Sequence, residues 1–413
     1  MQVAVVGAGV VGVCTAYFLV AQGHQVVLLE RYGNVAQEAS FGHAGLVSPG
    51  LAGPIATPGA PRRLMSWLSR PQTPVVIKSG MRPALWRWLR RWYDECQLER
   101  FRGNKARMQR LVSYSQNLLD QLRQDHQLHY EETEGVLQLF RTQQDWQMAQ
   151  ALLEAVAAGG VPVREVDVDA VRMIEPALSA ATPLAGALHF PRDESGNCAL
   201  FTRQMRAICQ ELGVEFLFET RVESIESSGK GVRLQVNGQE FTADAVVVAA
   251  GAGSLPLLSR LAPKLPLLAV NGFSASAPIR DFEEAPLASI HDETYQVAIA
   301  RMGNRLRVAG TYELGKDDLA LSPTALRTLA KCGEDWFPNA ANYNTASFWC
   351  GASLCLPDGA PVLGQLAPGV FLNIAHGNHG WAMASGAGKI VADMVSGQAA
   401  DIDLEGLTLA RYG

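Results

Sequence analysis

Apolar positions along the chain follow two rhythms. Short unbroken runs at residues 3–6, 26–29, 214–218, 244–249 and 371–374 carry almost no polar residue. Such runs, bounded by glycines and charges, predict strands buried on both faces, as in a parallel sheet. Other segments repeat every three to four residues and predict helices: residues 10–20, 104–124, 142–158, 200–212, 324–336 and 381–395. The strands of the first rhythm are separated by long excursions, residues 50–190 and 255–350, with a different texture. There the pattern predicts an isolated strand over 136–140, another over 187–190 that leads into a polar turn over 191–197, a hairpin of 295–301 with 305–310 around Met302-Gly303-Asn304, and a strand over 347–351. Residues 49–83 are proline-rich without sustained period and read as irregular.

One join in this pattern carries chemistry. The first run ends in Gly7-Ala8-Gly9-Val10-Val11-Gly12, opens directly into a helix, and is followed by a second strand closed by Glu30 and Arg31. Gly7 permits the tight turn, Gly9 lets a pyrophosphate approach the backbone, and Gly12 lets helix and strand pack closely. The helix start offers N–H groups and a positive dipole end. An acid at position 30 suits a ribose hydroxyl and disfavours a 2′-phosphate, which leaves FAD and NAD open and NADP disfavoured. Beyond the second strand, Ser40 and the small-residue stretch His43-Ala44-Gly45-Leu46 form a second candidate contact with the dinucleotide.

Composition narrows the class. With 48% hydrophobic residues, 18% charged residues and a net charge of −5, the 413-residue chain reads as a globular protein without an electrostatic case for nucleic acid. Seven cysteines without C-x-x-C spacing fit a reducing compartment and argue against disulfides or zinc. No apolar run reaches the ~20 residues a membrane helix needs, and the first strand leaves no room for a signal peptide. The expectation is a cytoplasmic protein, with a peripheral place on the cytoplasmic face of the inner membrane as the alternative. That alternative rests on the stripe Leu85, Trp88, Leu89, Trp92 and Cys96, flanked by Arg87, Arg90 and Arg91, which fits either a helix packed on its own core or one lying on a membrane. There is no internal repeat.

Together these elements predict an α/β plus α+β protein: a Rossmann-like dinucleotide-binding domain of residues 1–50, 191–255 and 351–413, interleaved with a mixed-sheet substrate domain of residues 51–190 and 256–350.

Several separated motifs resemble one family of flavoproteins, the glycine oxidase/D-amino acid oxidase group, and within it the bacterial D-amino acid dehydrogenases. They are the N-terminal fingerprint, Pro191-Arg192-Asp193-Glu194-Ser195-Gly196, Asp292-Glu293-Thr294-Tyr295, Pro357-Asp358-Gly359-Ala360-Pro361, His376-Gly377-Asn378-His379-Gly380-Trp381-Ala382-Met383 and the closing residues 403–412. The resemblance implies non-covalent FAD. It assigns Gly7 to Gly12 to the pyrophosphate, Glu30 to the ribose, Arg31 to the cofactor site, Ser40 and His43 to Leu46 to the pyrophosphate and flavin, and Val222, Ala250 and Gly251 to the nucleotide. Gly351 and the stretch Gly377, Asn378, His379, Gly380, Trp381, Ala382 and Met383 fall at the flavin. It implies hydride transfer from the Cα of a D-amino acid to flavin N5, an imino or 2-oxo acid product, and a quinone or redox-protein electron acceptor.

The chain departs from its relatives at one place. An arginine common in the strand before Pro357-Asp358-Gly359 is replaced by Ser353, which cannot offer a bidentate fork to a carboxylate. Tyr295 is a candidate donor to the carboxylate, Arg301 and Arg192 are candidate cations, His43 and His379 are candidates to face the flavin cavity, and a cyclic D-imino acid of the D-proline type is an alternative substrate. Relatives that attach FAD covalently do so through a cysteine in this region, but Cys350 and Cys355 are poorly aligned for it. An oxidase using O₂ and a non-catalytic FAD-binding subunit are the remaining alternatives.

Overall fold

The computed structural model describes residues 1–412 apart from 69, 79–82, 158, 230 and 317. The five apolar runs form the parallel core of one sheet, in the order Val362–Ala367, Val370–Ile374, Ala245–Val248, Gln2–Val6, Gln25–Leu29 and Glu215–Leu217. Val5 is paired with Val247 on one side and Leu28 on the other. The edge strand Val362–Ala367, absent from the sequence reading, runs antiparallel to its neighbour. Helix Val10–Ala21 packs on this sheet and against helix Gly380–Val395, where a Cβ at Gly388 would come within 2.9 Å of Thr15 N. The small residues of the last helix therefore serve close helix packing.

The excursions build a second, mostly antiparallel sheet: Ser347–Cys355, Leu268–Pro278, Arg305–Leu314, Val297–Met302, Ser289–Asp292, Thr133–Phe140, Gly186–Ser195 and Leu46–Val47. A separate three-stranded sheet spans residues 222–243. Strand Leu268–Pro278 escaped the sequence reading because its Gly, Ser and Ala residues blur the alternation.

Three differences from the expected elements matter for the site. Residues 191–195, expected as a polar turn, continue a strand with Asp193 and Glu194 buried. Their charges are met inside: Ser48 Oγ and Gly50 N donate to Asp193, and Arg123 Nη1 (2.6 Å) and Tyr130 OH (2.7 Å) donate to Glu194. The strand expected to stop at Gly310 runs to Leu314 through a bulge at Thr311, opposite Gly272 and Phe273. The strand expected over 347–351 continues to Cys355, so Ser353 is a strand residue of the second sheet.

Within the irregular stretch, residues Ala60–Leu68 form a helix and Val75–Ile77 a short strand. The arginine-flanked stripe is helix Pro83–Glu95, and Leu85, Trp88 and Trp92 are buried against a core of their own. The expected end of helix Gln143–Ala157 at Ala158 lies outside the described residues. Helix Leu98–His126, longer than expected, packs against the last helix: Met108, Leu111, Val112, Leu119 and Leu122 join the core around it.

Candidate functional site

Two cavities of about 390 and 350 Å³, the first between the two sheets and the second between the second sheet and the helices of residues 60–126, share Ala39, His43 and Ser353 on their walls. The first follows the C-terminal edge of the parallel sheet, where ligands bind in doubly wound folds. Gly7, Gly9, Val10, Val11, Glu30, Arg31, Ser40, Val222, Ala250, Gly251, Gly377, Gly380 and Trp381 line it. Its chemistry is that of backbone donors and one acid. The helix N-cap is Gly9, with no side-chain cap, and Val10 N is held by Ser40 Oγ at 3.0 Å. The remaining N–H groups of the first turn are left to a ligand.

The Glu30 carboxylate accepts from Ala8 N at 2.7 Å and Tyr32 N at 2.9 Å. Burial raises its pKa, and these two donors oppose the rise. Arg31 is tied to Glu38 at the rim.

The glycines divide by what crowds them. A Cβ at Gly12 would fall 1.9 Å from Gly7 O, and one at Gly7, where φ is +106°, would fall 2.7 Å from Ala250 Cα. At Gly9 a Cβ would meet only Ser40 Oγ at 3.3 Å, so the space above Gly9 opens to the cavity. At the far end Ala375 and Gly377 have φ of +64° and +56°, a local strain of the kind that persists at ligand sites. Three buried polar atoms on residues of this wall, Trp381 Nε1, His376 Nε2 and Asn373 Oδ1, have no partner among the described residues. A nucleotide cradle, an acid at the ribose position and orphaned polar atoms where a flavin ring would lie all fit a dinucleotide flavin.

The second cavity is apolar on one side, with Leu51, Leu64, Trp67, Trp88, Trp92 and Phe140, and polar where it meets the first. At the junction Gly45 N donates to His43 Nδ1 at 3.0 Å, and His43 Nε2 lies 3.2 Å from Asn378 O. A carbonyl only accepts, so Nε2 carries the proton and the Nδ1 lone pair is occupied. Burial holds the ring near pKa 4. His43 is thus a neutral strut between two loops and has no lone pair to act as a base. His379, also on this wall, is held near pKa 4, chiefly by burial and also by His43, and bonds the Gly53 backbone.

Of the substrate candidates, His43, His379 and Ser353 reach the second cavity, and Tyr295, Arg301 and Arg192 are not on its wall. The Tyr295 backbone N–H bonds Asp292 Oδ1, and its ring packs under Arg141 in the second core, 4.9 Å from guanidinium carbon to centroid. The Arg301 guanidinium lies over Phe282 on the hairpin surface, and Arg192 is exposed. The motif reading chose Tyr295 from this turn, whereas the turn residues on the cavity wall are Glu293 and Gln296.

Among cofactor candidates, Ala8, Gly12, Gly45, Ala382 and Met383 support the walls from behind rather than line them. Ala44, Leu46, Gly351, Asn378 and His379 line the second cavity. Gly351 leaves room for Trp349, whose ring a Cβ would meet at 1.9 Å.

The sequence reading missed Tyr312, Lys105, Arg63, His291 and Glu293, all on the second wall. The bulge at Thr311 turns Tyr312 inward, where Asn378 Nδ2 donates to its hydroxyl at 3.1 Å. Arg63 donates to Glu293 at 3.0 Å and to Thr57 at 2.5 Å. The motif Asp292-Glu293-Thr294-Tyr295 did point to this turn, but the candidate Tyr295 is two residues from Glu293, the group that enters the cavity.

The profile of the FAD dependent oxidoreductase (DAO) family matches residues 2–394, and the chain belongs to that family of FAD-dependent enzymes. More particular likenesses come from full-length relatives. The chain is 40% identical over 417 residues to a D-amino acid dehydrogenase of Methylobacterium radiotolerans and 39% identical over 416 residues to one of Granulibacter bethesdensis, covering 100% of both partners each time. Among solved structures, the glycine oxidase of Geobacillus kaustophilus shares the fold, with a TM-score of 0.76 at 22% identity over 99% of each chain.

Proposed function

We propose that the protein dehydrogenates a D-amino acid, using non-covalently held FAD. The single observation that carries the reading is the meeting of a nucleotide cradle and an apolar cavity at His43 and Ser353. The D configuration follows the names of the relatives.

Glu30 would hold the ribose, the N–H groups after Gly9 the pyrophosphate, and the turn Gly377–His379 with the start of helix Gly380–Val395 the flavin end. FAD supplies an acceptor for the hydride leaving Cα, while the amine lone pair forms the C=N bond. The chain's part is to present Cα–H at the junction, exclude water with its indole and phenyl wall, and keep His43 neutral there. An amine that arrives unprotonated needs no base from the protein. Cys350 and Cys355 are not on the first wall, and burial pushes their thiols up to about 11 and 12, which supports a non-covalent cofactor.

The wall of Trp67, Trp88, Trp92 and Phe140 suits a substrate with a sizeable apolar side chain better than D-alanine. Dye-coupled turnover of D- and L-amino acids, with hydrogen peroxide followed in parallel, tests the reading. Turnover confined to D substrates without peroxide is expected. Turnover of L substrates would overturn the stereochemical part, and stoichiometric peroxide would make the protein an oxidase.

Electrons would pass to a quinone, or to a redox protein in its place. Helices Ala60–Leu68 and Pro83–Glu95 expose Met65, Leu68, Trp86 and Tyr93 beside Arg62, Arg87, Arg90 and Arg91. Such a face suits peripheral contact with an anionic membrane, where quinones reside. No helix among the described residues is long and apolar enough to cross one. Co-sedimentation with anionic but not neutral vesicles is the expected result, and equal recovery with both would remove the membrane from the scheme.

A further inference from the structure

The second cavity holds two cations with different surroundings. Arg63 has an acid of its own, Glu293, which also accepts from Gln138 Nε2 at 2.9 Å. Lys105 has none. It sits on helix Leu98–His126, is 7% exposed, and reaches the cavity wall. Its ammonium donates to Gly50 O at 3.2 Å and Ala52 O at 3.1 Å, and among the described residues no carboxylate lies within ion-pair distance of it.

An ammonium has three N–H donors, and two carbonyls leave one over. Two neutral acceptors also do not offset the cost of burying a positive charge. Burial lowers the pKa to about 8, against the opposing pull of the Asp193 and Glu293 carboxylates, so the cation remains the main form at neutral pH. Asp193, the neighbouring acid, is engaged by Ser48 Oγ and Gly50 N and is not on the cavity wall. The ammonium lies close to the loop that leads to the junction: a Cβ at Gly53 would stand 3.5 Å from Nζ, and His379 bonds the Gly53 backbone.

We propose that Lys105 receives the substrate carboxylate, taking the role that an arginine at position 353 would have in related chains. The inference rests on the amino acid reading of the cavity given above. It orients the substrate: carboxylate toward Lys105, Cα–H toward His43 and Ser353, and side chain toward the tryptophans. A lysine on a helix replaces an arginine on a strand, so recognition becomes a point charge in place of a bidentate fork.

The test separates charge recognition from loop support. Lys105→Met removes the charge and the donors. Lys105→Gln removes the charge but keeps an amide donor for the Gly50 and Ala52 carbonyls. Phenylacetate and phenylacetamide, which cannot be dehydrogenated, are titrated against the flavin absorbance of the holoenzyme. The unaltered protein should bind the acid more tightly than the amide. In both variants the acid-over-amide ratio should fall by about 10- to 100-fold, the range of one charge-assisted hydrogen bond, with amide affinity little changed. Lys105→Arg should restore part of the ratio.

An unchanged ratio, or equal weakening of acid and amide in Lys105→Gln, would overturn the proposal and leave Lys105 as a loop clamp. Should Lys105→Met fail to retain flavin, the Gln variant decides alone. Should Gln fail as well, a wild-type protein without preference for the acid would overturn the proposal, and loss of that preference in Lys105→Arg would do the same. If no amino acid reduces the flavin, the functional reading fails, while the acid-over-amide ratio still reports on Lys105.

Discussion

The two cavities are built by opposite means. The cofactor cradle is made mostly of backbone from contiguous turns: a helix start after Gly9, a carboxylate fixed by two backbone N–H groups, and a turn with positive φ at Ala375 and Gly377. The substrate cavity is made of side chains from remote segments, with Arg63, Lys105, His291, Tyr312 and His379 meeting from different elements. A cradle of backbone tolerates change in its side chains and none in its glycines. A cavity of side chains is where substrate choice can change without disturbing the fold.

That contrast orders the expected effects of substitution. The largest belongs to Gly12→Ala, where the new Cβ falls 1.9 Å from the Gly7 carbonyl oxygen and backbone must move. Purified protein should carry no flavin and show a sharply lower Tm. Gly9→Ala meets only a side-chain oxygen at 3.3 Å, so its Tm without flavin should stay near that of the parent while flavin content falls. Equal Tm losses in the two variants would break the distinction between packing glycines and ligand-facing ones.

Next comes Glu30→Gln, which replaces a carboxylate held by Ala8 and Tyr32 N–H groups. A loss of about 10- to 100-fold in FAD affinity is expected, read by flavin fluorescence on dilution. Tyr312→Phe removes the acceptor of the Asn378 bond and should cost about fivefold in kcat/KM, the scale of one neutral hydrogen bond. Flavin content should be unchanged, which places the effect in the second cavity. Tyr295→Phe should change kcat/KM by less than about twofold, because its ring lies in the second core.

Asp193, which holds the Gly50 backbone behind the second cavity, adds a pH signature. Burial raises its folded pKa from 3.8 to about 7, so the folded state keeps a proton that the unfolded state has already lost. Stability due to this group is therefore full below pH ~4 and declines as pH rises through 7. The urea midpoint of Asp193→Asn should fall less between pH 5 and pH 8 than that of the parent. An equal fall in both would assign the slope to other groups.

The same division explains what could be read in the sequence. The turn Gly7 to Gly12 and Glu30 are local in sequence and obey fixed spacing, so the cradle and five of its six strands were legible. Tyr312 was not, because one extra residue at Thr311 reverses which side chains face inward, and a bulge leaves no mark in an alternation pattern. Asp193 and Glu194 looked like a solvated turn because sequence shows charge without showing its partners, Ser48, Arg123 and Tyr130. Lys105 lay hidden in a charged helix whose exposed and buried lysines and arginines are alike until packing separates them. Ser353 was visible as a departure, but its replacement was not, because that residue comes from a helix more than two hundred positions away.

The most direct test is anaerobic mixing of the flavin-loaded protein with paired D- and L-amino acids, followed by the flavin absorbance. Rapid bleaching by D-amino acids with sizeable apolar side chains, and none by their L forms, is the predicted result: the joined cavities call for the reaction and the apolar side chain, and the relatives' names for the D form. A flavin that stays oxidised with every amino acid would contradict the account and leave a cradle without a reaction beside it.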